Sequence, residues 1–389
     1  MNENTDENGT AGKTQDLGYD YDHAISEATR LWNQLKERHA ARGWKYPPRN
    51  ASFEHLLSAW KANPGKAIVH LFDLPDFIHV SLDKDGIEML RKEWSKLVAE
   101  NSFRGASRQH EAIYHTSVGA HQTTSVSELR KLALERGLSF DEHVVEIRPG
   151  AYGKPFRTKL PLRIDTEPFG ELFGFYGDLI HKKLVHVTKE KEVQDEFQQA
   201  VRLALGTVDV STRNTGKYST TYSTTTIKHL FNLGGIDTNV RQLEADNPPP
   251  LFLFTSPNGV VRKYLRTLFE SEGGVSYVKK RNAPGSVDLH QAVLCGPHEQ
   301  IFIPRHPARV SFRQIGSHNY LLDKPPRLLV AASLLLLRLD IINRLWPADL
   351  YTNDFNEKVM RWRLMITGSD ISSYKSQIGF ISSRKQTKL

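Results

Sequence analysis

Two apolar stretches of this chain close on acids: FGELFGFYGD ends at Asp178, and LRTLFESEGG carries Glu270 and Glu272. Such acids read either as charges at the ends of surface helices or as one carboxylate apiece for a shared site. The 16 histidines are scattered, with no HExxH, HNH or paired spacing, which argues against a zinc hydrolase or an HNH-type nuclease. There is no glycine-rich phosphate loop, and no His-Asn ending that would mark self-splicing. The cations say more. Net charge is +8, and the first 17 residues set Glu3, Asp6, Glu7 and Asp16 against Lys13 alone, leaving +11 on the rest. A cationic body of this size favours a polyanionic partner, although solubility by itself also accounts for charge. Cys295, the sole cysteine, rules out an internal disulfide and any multi-cysteine zinc site.

The elements that carry these residues begin after an acidic, disordered tail over 1–18, which lacks the apolar run of a signal peptide. Residues 19–148 read as a mainly helical N-terminal domain. Ala24, Ile25, Ala28, Leu31, Trp32 and Leu35 recur at helical spacing, Pro47 and Pro48 break that helix, and Ser52 suits the cap of a second. AIVHLFDLPDFIHVSL is β-prone, and 87–98 is helical again. Within this domain, 123–146 has the outline of a helix–turn–helix: a helix capped by Ser125 to Ser127, a turn at Gly137, and a second short helix from Leu138. Arg130, Lys131 and Arg136 suit DNA there, but helix–Gly–helix segments are common in proteins that touch none. Residues 149–163, rich in glycine, proline and cations, read as a basic linker. The most apolar run, Leu328 to Leu337, is too short to span a bilayer and reads as a core helix. The expectation is a soluble, cytoplasmic protein associated with the nucleoid.

The remainder repeats. Residues 164–247 offer an apolar helix ending in an acid, a strand at Leu184 to Val187, an amphipathic helix from Glu192 to Leu205, the β-prone STRNTGKYSTTYST, and the helix TIKHLFNLGGI. Residues 248–389 run through the same outline: a helix ending in acids, strands around VDLHQAVLC and RVSFRQI, the helix LLVAASLLLLRLDII, the strand RWRLMITG and the helix DISSYKSQIGF. The fold expected is α+β, a pseudo-two-fold tandem repeat of αββαββα units behind the helical N-terminal domain. Two such halves pack through their first helices and set two antiparallel sheets side by side, a saddle wide enough for a major groove.

On these residues the chain resembles the LAGLIDADG (DOD-type) homing endonuclease family. LRTLFESEGG looks like the second copy of the family motif, with Glu272 as the terminal acid and Gly273 after it, and FGELFGFYGD looks like the first. The tail is similar to the family's closing strand and helix through Ile378, Gly379, Phe380, Lys385 and Leu389. The resemblance covers about 156–389, and the helix–turn–helix-like stretch followed by a basic linker is similar to stand-alone archaeal-type members. It implies that small residues, Gly174, Gly177, Ser271 and Gly273, let two helices cross closely. It also implies that Asp178 and Glu272 hold Mg²⁺ (or Mn²⁺) against a scissile phosphate, activating water and neutralising the leaving oxygen. Glu270 would face elsewhere.

The first motif departs from the family pattern. GFYGD is one residue short, and Leu179 stands where a glycine usually follows the acid. One missing residue turns an α-helical side chain by about 100°. A locally over- or under-wound turn restores Asp178; otherwise it points away. Two functions therefore stand side by side. One is site-specific, Mg²⁺-dependent cleavage of double-stranded DNA by a monomer. The other is a scaffold that has lost cutting and serves as a DNA-binding regulator or an RNA-splicing maturase. Contacts to nucleic acid are expected from Arg213, Lys217, Tyr218 and Tyr222 in the first repeat, from Lys279, Lys280, Arg281, Arg309 and Arg313 in the second, and from Lys385 in a basic C-terminal end.

Overall fold

The computed structural model describes residues 16–44, 50–109, 111–117, 123–151, 155–180, 185–208, 211–214, 219–222, 226–238, 247–278, 283–294, 310–311, 325–353 and 356–389. Helix α1 (Tyr21–Ala41) starts at Asp20, whose side chain accepts from the His23 N–H at 2.9 Å. The spaced residues Ala24, Ala28, Leu31, Trp32 and Leu35 are buried as their period requires. Helix α2 (Asn50–Ala62) follows, and Trp32 stacks on Phe53 with ring centroids 5.1 Å apart.

The region up to residue 163 is mainly helical, with short strands set between its helices. Strands β1 (Ile68–Val69) and β2 (His79–Leu82), helices α3 (Lys84–Gln109) and α4 (Glu111–Ser117), strand β3 (Thr124–Ser125), helix α5 (Val126–Arg136), and strands β4 (Val144–Arg148), β5 (Phe156–Arg157) and β6 (Leu162–Arg163) alternate here. The helix–turn–helix outline keeps its first half alone. Ser125 caps α5 and Gly137 ends it at φ 67°, but a 3₁₀ turn at Asp141–His143 and strand β4 stand where a second helix was expected. Val144 and Ile147 explain the difference: both are buried on the run that pairs with β2, with a register shift between them. The expected linker is also built in. Phe156 is fully buried, and β5 pairs with β9 (Thr207–Val208), a strand from within the first repeat.

The two halves share one topology. In the first, helix α6 (Glu167–Gly174) leads to β7 (Leu179–Ile180) and β8 (Val185–Thr188), then α7 (Lys191–Leu205), β10 (Ser211–Asn214), β11 (Ser219–Tyr222) and α8 (Thr226–Leu233). In the second, α9 (Asn258–Glu272) leads to β12 (Gly273–Val278) and β13 (Ala283–Leu294). The two-residue β14 (Val310–Ser311), helix α10 (Arg327–Arg338), β15 (Asn343–Thr352), β16 (Lys358–Ile366), α11 (Asp370–Gln377) and α12 (Ser383–Gln386) complete it. The sheets run β7-β8-β11-β10 and β12-β13-β16-β15, the same hairpin-beside-hairpin order, with β14 added at the second sheet's edge. The fold is α+β with antiparallel sheets, and α6 and α9 pack against each other between them.

Helix α10 ends at Arg338 instead of running on to Ile342, because the chain turns at Asp340 (φ 56°) and begins β15. Every residue from Leu329 to Leu337 is buried, whereas its counterpart α7 is amphipathic. Such a helix needs cover on all sides. The N-terminal helices supply it: α1 and α2 pack on α10, Trp60 donates to the Pro249 carbonyl at 3.0 Å, and His39 Nε2 lies 3.1 Å from the Asn343 carbonyl. Helices α1 and α2 are therefore part of the second half's core. No helix of the described residues is long and apolar enough to cross a membrane.

Candidate active site and nucleic-acid surface

Helices α6 and α9 cross at glycine contacts. A Cβ on Gly174 would lie 1.9 Å from Thr267 Oγ1 and 2.4 Å from the Tyr264 carbonyl, and one on Gly170 would lie 2.8 Å from the Val260 carbonyl. The two glycines are four residues apart, hence on one face of α6. Sequence reasoning found Gly174 and passed over Gly170, although the i, i+4 spacing marks it. Thr267 is fully buried at the crossing and reaches the Glu171 carbonyl at 3.0 Å. Beside it, Glu171 accepts from Lys263 at 2.6 Å, and Lys263 and Arg266 reach Glu196 at 3.4 and 3.3 Å. Burial, reinforced by the neighbouring Glu196 carboxyl, pushes Glu171 up to about 7 against the pull of Lys263.

Beyond Gly174 the first motif helix tightens. Phe175–Asp178, which includes Gly177, is a 3₁₀ turn of four residues. Such a turn advances about 120° and 2.0 Å per residue, against about 100° and 1.5 Å in an α-helix. Four residues gain about 80° and 2 Å in this way, close to the roughly 100° and 1.5 Å that one missing residue removes. The over-wound turn nearly returns the backbone of Asp178 to the phase of a full-length motif; its carboxylate lies outside the described residues. Under this turn His186 is fully buried, stacked on Phe197 at 4.6 Å and edge-on to Phe175 at 5.0 Å. Burial lowers its imidazole to about 4.

In the second motif the helix stays regular to its end, and Glu272 is its last residue. Gly273 then passes straight into β12. A Cβ there would sit 2.6 Å from the Phe269 carbonyl and 2.9 Å from that of Asp288, so a glycine permits the helix to end against β13. The Gly174 contact is made by Tyr264, Thr267 and Leu268, with Ser271 one turn further on; its hydroxyl is buried with no partner among the described residues. Glu270 turns to the C-terminal segment and accepts from the Ile381 N–H at 2.9 Å, the Ser382 N–H at 3.1 Å and the Ser382 hydroxyl at 2.8 Å. Lys385, expected at the nucleic-acid surface, is turned inward instead. Its ammonium donates to the carbonyls of Glu270 and Gly273 and lies 3.5 Å from the Glu270 carboxylate, which satisfies the end of α9.

Of the other expected nucleic-acid contacts, Arg213 lies on β10 opposite Thr220 and Tyr222 on β11 opposite Ser211. Lys217, Tyr218, Lys279, Lys280, Arg281, Arg309 and Arg313 lie outside the described residues. A cationic strand face that sequence reasoning missed is in view. Arg344 and Trp346 on β15, Arg361 and Arg363 on β16 and His290 on β13 are half-buried and alternate with the buried Leu345, Trp362, Leu364 and Leu289. Trp346 pairs with Arg363, and Arg363 with His290, across the three strands. Arg344 lies over the rings of Trp346 (5.5 Å) and Trp44 (5.8 Å), so the residue pair Arg42 and Trp44 beyond α1 extends the face. Seven buried side-chain polar atoms on these strands find no partner among the described residues: Asp288 Oδ1, His290 Nδ1, Gln291 Oε1, Asp349 Oδ1, and the Nε of Arg344, Arg361 and Arg363. The signal was in the alternation of NRLW and RWRLM.

No protein family and no curated protein matches the chain. Among solved structures it is similar to I-DmoI in complex with DNA and Ca, at 9% identity over 55% of this chain and 90% of that one, with a TM-score of 0.30. It is also similar to the N-terminal LAGLIDADG domain of DUF199/WhiA, at 12% identity over 57% and 86%, with a TM-score of 0.29.

Proposed function

We propose that the chain grips double-stranded DNA along the outer faces of its two sheets and hydrolyses it at a specific site, with Mg²⁺ (or Mn²⁺) held between Asp178 and Glu272. The observation that carries this reading is the glycine-mediated crossing of α6 and α9, with each motif running to an acid and then directly into the first hairpin of its sheet. Two carboxylates on converging helices supply hard oxygen donors, and phosphate oxygens and waters complete such a sphere. A bound ion would supply charge neutralisation and an acidified water. The chain's own contribution is positional. Gly170 and Gly174 bring the helices together, the 3₁₀ turn rephases Asp178, and Glu270 with Lys385 fixes the end of α9 from which Glu272 projects. Arg344, Arg361 and Arg363 would hold phosphates, and because one chain carries both halves, a monomer suffices for both half-sites.

The test is a selection from a random duplex library, scored for binding without divalent ion and for cutting with Mg²⁺ or Mn²⁺. The reading requires a selected duplex that is cut by the wild type and bound but uncut by Glu272→Gln. Tight, selective binding with no cutting by the wild type in either ion would favour the second reading, a regulator or maturase on the same scaffold, which the shortened first motif helix motivates.

A further inference from the structure

Helix α1 ends by folding its last residues onto the second sheet. Gly43 adopts φ 60°, with nothing within 4 Å of where a side chain would begin. The Trp44 N–H then donates back to the His39 carbonyl at 3.3 Å, the backbone bond of a glycine-terminated helix. His39 Nε2 in turn lies 3.1 Å from the carbonyl of Asn343, the first residue of β15. Trp44 is thereby held beside the start of that strand, edge-on to the His39 ring at 4.6 Å. Its indole gathers two guanidiniums, Arg42 at 5.3 Å and Arg344 at 5.8 Å. Arg344 also lies 5.5 Å from the Trp346 ring, so two indoles hold it.

The arginines of this face are not alike. Arg42 lies 3.4 Å from Asp370, Arg361 pairs with Asp349, and Arg363 lies 4.0 Å from Asp288. Arg344 has two rings and, among the described residues, no acid, and its Nε is buried there without a partner. Two cations around one indole with a single counter-charge between them leave one positive charge to be met from outside. A guanidinium stacked on rings offers its planar fork to a phosphate, and the stacking restrains rotamers that binding would otherwise have to freeze.

We infer that Arg344 is a preorganised phosphate-binding residue and Trp44 its positioning residue, so that duplex DNA lying on the second sheet continues along the end of α1. The inference rests on the DNA-gripping part of the reading above and uses none of its cleavage chemistry. It gives the N-terminal segment a part in recognition as well as in the core.

The experiment uses the full chain and a random-sequence duplex without divalent ion, with affinity read by fluorescence anisotropy across a range of KCl concentrations. Arg344→Ala should weaken binding about tenfold and lower the salt dependence by roughly one unit of slope. Trp44→Ala leaves every charge in place, so it should weaken binding about threefold at unchanged slope, and Trp44→Phe should restore most of that loss. Arg344→Lys keeps the charge and loses the planar stack; it should cost about as much as Trp44→Ala, and the two together no more than either alone. If Trp44→Ala does not fold, Arg344→Lys and Trp44→Phe carry the comparison. A Trp44 that serves folding alone would lower thermal stability, leave the affinity of the folded chain intact and add to the Arg344→Lys effect. That result, or equal affinities for the wild type and Arg344→Ala, would overturn the inference and leave the DNA-gripping reading standing. Failure of the wild type to bind duplex at all would overturn both.

Discussion

Glu270 and Glu272 stand two positions apart, about 200° around a helix, and meet different surroundings. Glu270 is buried against Lys385 and the Ile381–Ser382 backbone, so Glu270→Ala leaves a largely buried ammonium without its counter-charge and two backbone N–H groups without their acceptor. Urea denaturation should show a loss of about 3–5 kcal/mol, while Glu272→Gln, at a half-buried helix end, should change stability by less than about 0.5 kcal/mol. Gly174→Ala places a methyl group against Thr267 and should cost about 1–3 kcal/mol by overpacking, in the same assay. His186 adds a pH term. Its folded pKa of about 4 lies below the ordinary 6.5, so between those values the unfolded chain binds the extra proton. His186 therefore contributes a loss of stability as pH drops from 6.5 to 4, on the order of 3 kcal/mol, while the raised Glu171 carboxyl contributes with the opposite sign between about 7 and 4.5. His186→Leu should remove the first contribution from that part of the curve; an unchanged slope would show that another group sets it.

At the scale of elements, alternation along β15 and β16 puts arginine on one face of the sheet and leucine on the other. Replacing both Arg361 and Arg363 by alanine should weaken binding to unrelated duplexes about equally and lower the salt dependence by roughly one unit of slope for each phosphate no longer neutralised. Periodicity made most elements legible: α1, α5, α7 and both motif helices follow from their apolar spacing, and the acid at the end of each motif from the repeat. Other features depend on distant partners. The stretch from Leu138 looked like a second short helix after Gly137, yet Val144 and Ile147 had β2 to pair with. Lys385 looked like a surface cation, yet the end of α9 lies within reach of its ammonium. Neither neighbour is visible in local sequence.

For the whole molecule, the N-terminal segment is structural before it is anything else. Helices α1 and α2 cover α10 and the Leu251–Phe254 turn, with Tyr19 against Phe252 and Trp60 against Phe254. Removing residues 1–62 should leave a chain without a cooperative thermal transition, exposing a helix that is apolar on every side. A truncated chain that unfolds cooperatively near the wild-type temperature would refute that dependence. The 3₁₀ turn at Phe175–Asp178 also gives the two halves unequal tolerance of length change. The first motif works as a vernier: its glycine contacts lie upstream, so a residue gained between Phe175 and Tyr176 can be absorbed by relaxing the turn to α-helical pitch. The second has no such slack, since Glu270, Lys385 and Gly273 pin its end, and an inserted residue after Phe269 would swing Glu272 out of phase. Length variation in such a chain would accumulate on one side of its pseudo-dyad alone.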